Sequence, residues 1–167
     1  MKKNIYLICA IVLLSSTVFS QNIDFGIGAT AGTKMKFNDT GTTTGFGINA
    51  RAVVGISKFG VSAGVSYFLP SKFDLAGSEI KTSYLAINAD LLYYFFSIPK
   101  VKFYCLGGLS NMTLMNKVTT GGTSVKTNSS DIVIEIGTGL KAGPLFVEAK
   151  YQTKVKQFVA TVGFNFL

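Results

Sequence analysis

The sequence predicts an all-β fold, an eight-stranded antiparallel up-and-down transmembrane β-barrel, on three observations. Apolar residues recur at every second position through most of the chain. The alternating segments run about ten residues or more, whereas a globular strand usually has about five or six. Polar connections rich in Gly, Thr and Ser alternate with tight turns.

The first 20 residues read as an export signal and not as part of the fold. Lys2 and Lys3 give a positive start, and Ile5 to Leu14 is a short apolar run. Val18-Phe19-Ser20 then offers tolerated residues around a cleavage point before Gln21. The run is too short for a spanning helix, which needs roughly 20 apolar residues. Residues 1–20 are thus expected to be a signal peptide and residues 21–167 one barrel domain. No later stretch approaches the length of a membrane helix, although 48% of the chain is hydrophobic and only 14% charged. Cys9 leaves with the signal, so Cys105 has no partner for an intramolecular disulfide.

Eight segments carry the period-two pattern: 22–37, 44–57, 59–69, 80–96, 101–115, 131–142, 144–153 and 156–167. In the second, Phe46, Ile48, Ala50, Ala52, Val54 and Ile56 alternate with small or polar neighbours. The third repeats the pattern with Phe59, Val61, Ala63, Val65, Tyr67 and Leu69. Ten tilted residues suffice to cross a bilayer. Asn38–Thr43, Pro70–Ser78 and Asn116–Ser130 read as loops, and Ser57-Lys58, Ser97–Lys100 and Ala142-Gly143 as tight turns. Long loops outside and short turns with both termini on the periplasmic side is the layout of outer-membrane barrels.

The pattern sets two hairpin registers. An Ala142-Gly143 turn places Lys141 opposite Pro144, Gly139 opposite Phe146 and Glu135 opposite Lys150, all facing inward. Gly139 would then leave room for the Phe146 ring. A Ser57-Lys58 turn sets Arg51 opposite Gly64.

The distribution of charge decides which face meets lipid. The polar faces carry Asp24, Arg51, Asn88, Asp90, Glu135, Glu148 and Lys150, with both signs represented. A Lys or Arg facing lipid near the midplane costs about 2–4 kcal/mol. Several would exceed a domain's usual net stability of about 5–15 kcal/mol. These residues are therefore expected to form an interior polar network. A soluble periplasmic lipocalin-like barrel, the rival reading, would show the reverse polarity. Tyr93, Phe95, Phe103, Phe164 and Phe166 are expected to gird one rim, and Tyr67, Tyr84 and Tyr151 the other.

The stretch Ile134 to Tyr151 and the closing Val162-Gly-Phe-Asn-Phe166 resemble the final hairpins of small outer-membrane β-barrel proteins, the OmpX-like and OmpA transmembrane-domain-like barrels. The resemblance covers essentially the whole mature chain and is most specific over residues 131–167. It implies an eight-stranded barrel in the outer membrane of a Gram-negative-type cell. It also implies folding by the outer-membrane assembly machinery, which reads a C-terminal strand ending in an aromatic. Here the chain ends Phe166-Leu167.

The chain has no histidine. Hydrolases on related barrels resemble one another in using a histidine as base, so that role cannot be filled and no catalytic, cofactor or metal site is expected. Glu135 and Glu148 lie on adjacent inner faces and read either as a proton-handling pair or as parts of a salt-bridged plug. Gly26/Gly28 and Gly137/Gly139 lie inside alternating segments and read as space for inward side chains, not as a phosphate loop. An eight-stranded barrel is just wide enough to be filled by side chains. A narrow channel is the alternative.

A net charge of +8, about +6 once Lys2 and Lys3 leave, is scattered singly and does not suggest nucleic acid. At the presumed outer end, Lys34, Lys36, Lys72, Lys81, Lys117, Lys126, Lys154 and Lys156 face Asp39, Asp74, Glu79 and Asp131. Eight against four leaves about +4, a match for lipopolysaccharide phosphates. Lys34, Lys36, Lys154 and Lys156 are the candidate contacts. The expected role is structural or surface-interacting, as a monomer in outer-membrane lipid. Residues 70–78 and 116–130 would face an extracellular partner whose identity the sequence does not reveal.

Overall fold

The computed structural model describes residues 22–38, 41–75, 78–120 and 123–166, with the side chains of residues 22, 35–38, 41–43 and 73–75 left aside. The expected signal peptide lies outside the described residues. The strands are Asn22–Asn38 (β1), Gly41–Ile56 (β2), Phe59–Leu75 (β3), Ser78–Ile98 (β4), Val101–Thr120 (β5), Thr123–Ala142 (β6), Leu145–Gln152 (β7) and Gln157–Phe166 (β8). Each pairs antiparallel with the next, and β1 pairs with β8 from Phe25↔Phe166 to Gly32↔Val159, closing the barrel.

Closure follows from the alternation. Along β8, Gln157, Val159, Thr161, Gly163 and Asn165 point inward and are buried, while Phe158, Val162, Phe164 and Phe166 point outward. On β6 the outward Ile132, Ile134 and Ile136 are 66%, 56% and 54% exposed, and the inward Glu135 is 2% exposed. Such a wall is stable only with hydrocarbon against its outer face.

At the end that holds Asn22 and Phe166, here the terminal end, the turns are Ser57-Lys58, Pro99-Lys100 and Gly143-Pro144. The β2–β3 register keeps Arg51 opposite Gly64. The β6–β7 register differs from the sequence-based one by two residues. Ala142 faces Leu145, so the turn is Gly143-Pro144 and not Ala142-Gly143. Gly143 adopts φ +58, the positive φ that a right-twisted two-residue hairpin needs at its first position and that glycine supplies without a Cβ clash. Glu135 therefore faces Gln152, Lys150 faces Gly137 and Phe146 faces Lys141. A two-residue shift preserves parity, so every side chain keeps its face.

The distal end differs more from expectation. Most of the three stretches read as loops is strand: β3 runs to Leu75, β4 starts at Ser78, β5 runs to Thr120 and β6 starts at Thr123. Hydroxyl and amide pairs bridge these strands, including Ser78–Thr120 at 2.6 Å, Thr82–Asn116 at 2.8 Å, Thr113–Ser130 at 2.9 Å and Thr119–Ser124 at 3.0 Å. Threonine suits a pleated surface, and such cross-strand pairs stabilise it. Period-two hydrophobicity is missing here because water reaches both faces.

β7 and β8 stop early, joined by the Thr153–Lys156 turn. The ladder of β6 to β7 ends at Glu135↔Gln152, and that of β2 to β3 at Gly47↔Phe68. Beyond those rungs β3, β4, β5 and β6 continue as a four-stranded distal sheet. Ile134 O still accepts the Thr153 N–H at 3.0 Å; beyond it, among the described residues, no strand pairs with the outer edge of β6 from Thr123 to Val133.

Phe95 and Phe96 flank the terminal rim with Phe103, at 6.4 and 5.9 Å between ring centroids. Tyr151 packs on Phe158 on the outer wall, at 4.9 Å. Tyr84, expected in the upper girdle, instead points into the lumen and is 9% exposed. It has the parity of Asn88 and Asp90 on β4, and that parity holds to the strand's distal end.

Candidate functional site

The lumen is filled in layers. Near the terminal end, Lys141 on β6 donates to Asp24 on β1 at 2.5 Å, and Lys102 reaches over the Tyr94 ring at 5.6 Å. An apolar layer of Val53, Leu92, Tyr104 and Leu106, with Tyr94 against it, packs beside them.

Arg51 on β2 lies in the next layer. It pairs with Glu148 on β7, donates to Asn165 Oδ1 at 3.3 Å and stacks 3.4 Å from the Phe146 ring centroid. Tyr104 accepts from Arg51 at 3.4 Å and donates to Glu148 at 2.8 Å. The Phe146 ring lies over Gly163, where a Cβ would come within 2.6 Å of it. Gly139 makes room for Tyr104, not for Phe146 as the sequence-based register implies, because the two-residue shift moves Phe146 toward the turn.

A third group follows. Lys150 donates to Asp90 at 2.6 Å and Glu135 at 2.9 Å, Asn88 donates to Asp90 at 2.8 Å, and Gln152 donates to Glu135 at 3.1 Å. Lys150 therefore reaches Glu135 diagonally, not across the rung. Toward the distal end a second apolar layer, Phe68, Tyr84, Ala86, Met112, Val133 and Val159, closes the lumen.

The seven sequence-selected interior residues all point inward but form two clusters, with Asp24 apart and paired to Lys141, not one network. Glu135 and Glu148, on adjacent inner faces, belong to different clusters. Lys150 bonds Asp90 and Glu135, and Glu148 belongs to Arg51. Sequence reasoning missed Lys141, Lys102, Tyr104 and Asn165 as members. Their parity is visible in the sequence, but the Asp24–Lys141 contact crosses the lumen between strands 117 positions apart.

With Lys102 and Lys141 included, four carboxylates (Asp24, Asp90, Glu135, Glu148) face four cations, the others being Arg51 and Lys150. A residual cavity of about 20 Å³ lies among Arg51, Ser110, Glu148 and Lys150, room for about one water molecule. Among the described residues no group of acidic or cysteine side chains is arranged to hold a metal ion.

The candidate lipopolysaccharide contacts stand on β1 and in the turn between β7 and β8. Lys34 is exposed with φ +58, Lys154 is paired with Asp131, and Lys156 is exposed with φ +49. The Lys36 side chain lies outside the described residues. A different set does align. The registers Lys72↔Lys81, Lys81↔Lys117 and Lys117↔Lys126 put four lysines in one row across β3, β4, β5 and β6. Glu79 lies beside the row, 3.0 Å from Lys81 and 3.7 Å from Lys72. The hydrogen bond from Lys81 holds the Glu79 carboxyl below the usual carboxylate range, and the charges of both lysines add to the effect.

A family model described as outer membrane protein beta-barrel domain matches residues 6–166. Among solved structures, Ail, the attachment invasion locus protein of Yersinia pestis, in complex with the heparin analogue sucrose octasulfate, superposes with a TM-score of 0.61 at 15% identity. That match covers 89% of this chain and 100% of Ail. Neisserial surface protein A gives 0.55 at 16% identity, covering 88% and 97%. A major outer membrane protein of Thermus thermophilus gives 0.54 at 12% identity, covering 87% and 100%. No curated protein matches the sequence.

Proposed function

The chain belongs to the outer-membrane protein β-barrel family and is an integral outer-membrane barrel, and on that premise we propose a non-enzymatic, surface-interacting role with the distal sheet facing outward. One observation carries this reading: β3 to β6 outrun β7 and β8 and leave the β6 edge open from Thr123 to Val133. An unpaired strand edge presents a row of N–H and C=O groups that a partner strand can join. Residues 1–20 act as the export signal and are removed before Gln21. The assembly machinery then folds the chain, which works as a monomer in outer-membrane lipid.

Two features favour a closed, non-catalytic lumen. The inner charges are matched in number and all but Lys102 are ion-paired, and the chain has no histidine to act as base. The narrow-channel reading has two apolar layers and a cavity of about 20 Å³ against it. Planar bilayers holding folded protein should show no conductance steps. The lipocalin-like reading gives way to the family assignment and to the lipid-facing isoleucines of β6.

Ail is a protein seen with a heparin analogue, and polyanion binding is one form that surface interaction takes here. Outer-membrane lipopolysaccharide is the proposed partner of Lys34, Lys36, Lys154 and Lys156. Replacing all four by Gln should weaken that association, and unchanged, salt-insensitive binding counts against their part in it. Orientation is tested by an epitope inserted between residues 121 and 122, compared with one in the Gly143-Pro144 turn. Antibody should reach only the first on intact cells. Labelling of the second alone would reverse the barrel and remove the proposal.

A further inference from the structure

We propose that Lys117 and Lys126, extended by Lys81 and Lys72, form a binding site for the phosphate groups of a phosphorylated glycolipid standing in the outer leaflet beside β3 to β6. The proposal rests on the outward orientation of the distal sheet.

The register is the first observation. The four lysines occupy directly opposed positions on neighbouring strands, about 4.8 Å apart, so the row is about 14 Å across. Like charges directly opposed in a sheet repel and destabilise the ladder. Glu79 relieves the β3–β4 half of the row. Among the described residues, Lys117 and Lys126 bond to no carboxylate. That half of the row has an unmet demand for an anion.

Its neighbours suit phosphate. On the same face, one rung toward the tip, stand the Thr119 and Ser124 hydroxyls, and one rung toward the membrane stands Asn128. The equivalent tipward rung of the β3–β4 half is Asp74 opposite Glu79. Two ammonium groups with hydroxyl and amide donors around them match a phosphate's charge and acceptor oxygens. The Glu79 carboxylate at the equivalent rung does not.

The face identifies the source of the phosphate. Parity along β4, β5 and β6 puts Lys81, Lys117 and Lys126 on the outer face, in line with the lipid-facing Ile87, Leu109 and Ile132. Lys72 follows Leu69 on the outer face of β3. A row perpendicular to tilted strands climbs away from the membrane. Lys72 stands three residues beyond Leu69, whereas Lys126 stands six beyond Ile132, about 15 Å higher than that isoleucine. A glycolipid bearing phosphates at more than one height can follow such a climb. A soluble polyanion would have no reason to prefer the membrane-side face of the sheet.

The folded protein in phosphatidylcholine nanodiscs is loaded with bisphosphorylated lipid A or with its dephosphorylated form, and bound glycolipid is counted by native mass spectrometry. K117Q/K126Q should retain at least about fivefold less phosphorylated lipid A than the unaltered protein. K58Q/K100Q, at the turns of the other end, should match the unaltered protein, and E79Q should retain more. The dephosphorylated form should bind at the level of the K117Q/K126Q variant. Equal retention by K117Q/K126Q overturns the proposal, and so does equal retention of both lipid forms. Displacement of lipid A by stoichiometric inorganic polyphosphate assigns the row to a soluble polyanion and likewise overturns it. An outward epitope at residues 121–122 together with unchanged retention defeats this inference alone; an inward epitope defeats the orientation on which it rests.

Discussion

The barrel wall and the distal sheet are parts of the same antiparallel ladders, yet their side chains obey different rules. In the wall, lipid and lumen impose opposite demands on alternate residues, and the lumen adds charges that only a partner can neutralise. In the distal sheet water meets both faces, hydroxyl pairs replace apolar contacts, and like charges align in a row. Individual contacts should therefore matter greatly in the wall and little in the sheet.

The largest effect is expected at Arg51. Arg51→Met leaves Glu148 buried with Tyr104 as its one remaining hydrogen-bond partner among the described residues and should cost about 3–5 kcal/mol, as for other broken buried pairs. Adding Glu148→Leu should recover most of the loss. Guanidinium unfolding in detergent micelles, followed by circular dichroism, measures both. A double variant as unstable as the single one would mean that the lumen depends on charge and not on filling.

A smaller penalty belongs to Gly139→Ala, whose methyl would intrude on the Tyr104 ring. Overpacking of this kind typically costs about 1–3 kcal/mol. Tyr104→Leu in the same chain should relieve part of it, and a G139A midpoint equal to that of the unaltered protein would show that the ring has room to move.

In the distal sheet, Thr113→Val removes the bond to Ser130 and should cost about 0.2–1 kcal/mol, the usual worth of a cross-strand pair. Lys154→Gln breaks an exposed ion pair with Asp131 and should change stability by no more than about 1 kcal/mol. Either change costing as much as Arg51→Met would erase the contrast between the two regions.

Legibility in the sequence follows the same division. The alternation of Phe46 to Ile56 and the Ile134–Glu135–Ile136 triplet reveal the wall, its polarity and the strand count, because the medium acts on every residue separately. The distal sheet reads as loops because Asn116 to Ser130 carries no apolar period; a strand wet on both faces needs none. Composition assigns Tyr84 to the rim, although its parity with Asn88 points inward. The lysine row gives no linear signal at all, since Lys72, Lys81, Lys117 and Lys126 meet only through three registers.

What the sequence by itself determined was therefore the facing of each wall residue: a period of two and a hydrocarbon solvent leave no other low-energy choice. Tertiary structure alone decided who meets whom. The turn at Gly143 set the β6–β7 register, closure brought Lys141 to Asp24 and Arg51 to Glu148, and the early end of β7 and β8 bared an edge. Parity is a local property, whereas partners across a lumen or along a rung depend on where the chain turns and how the cylinder closes.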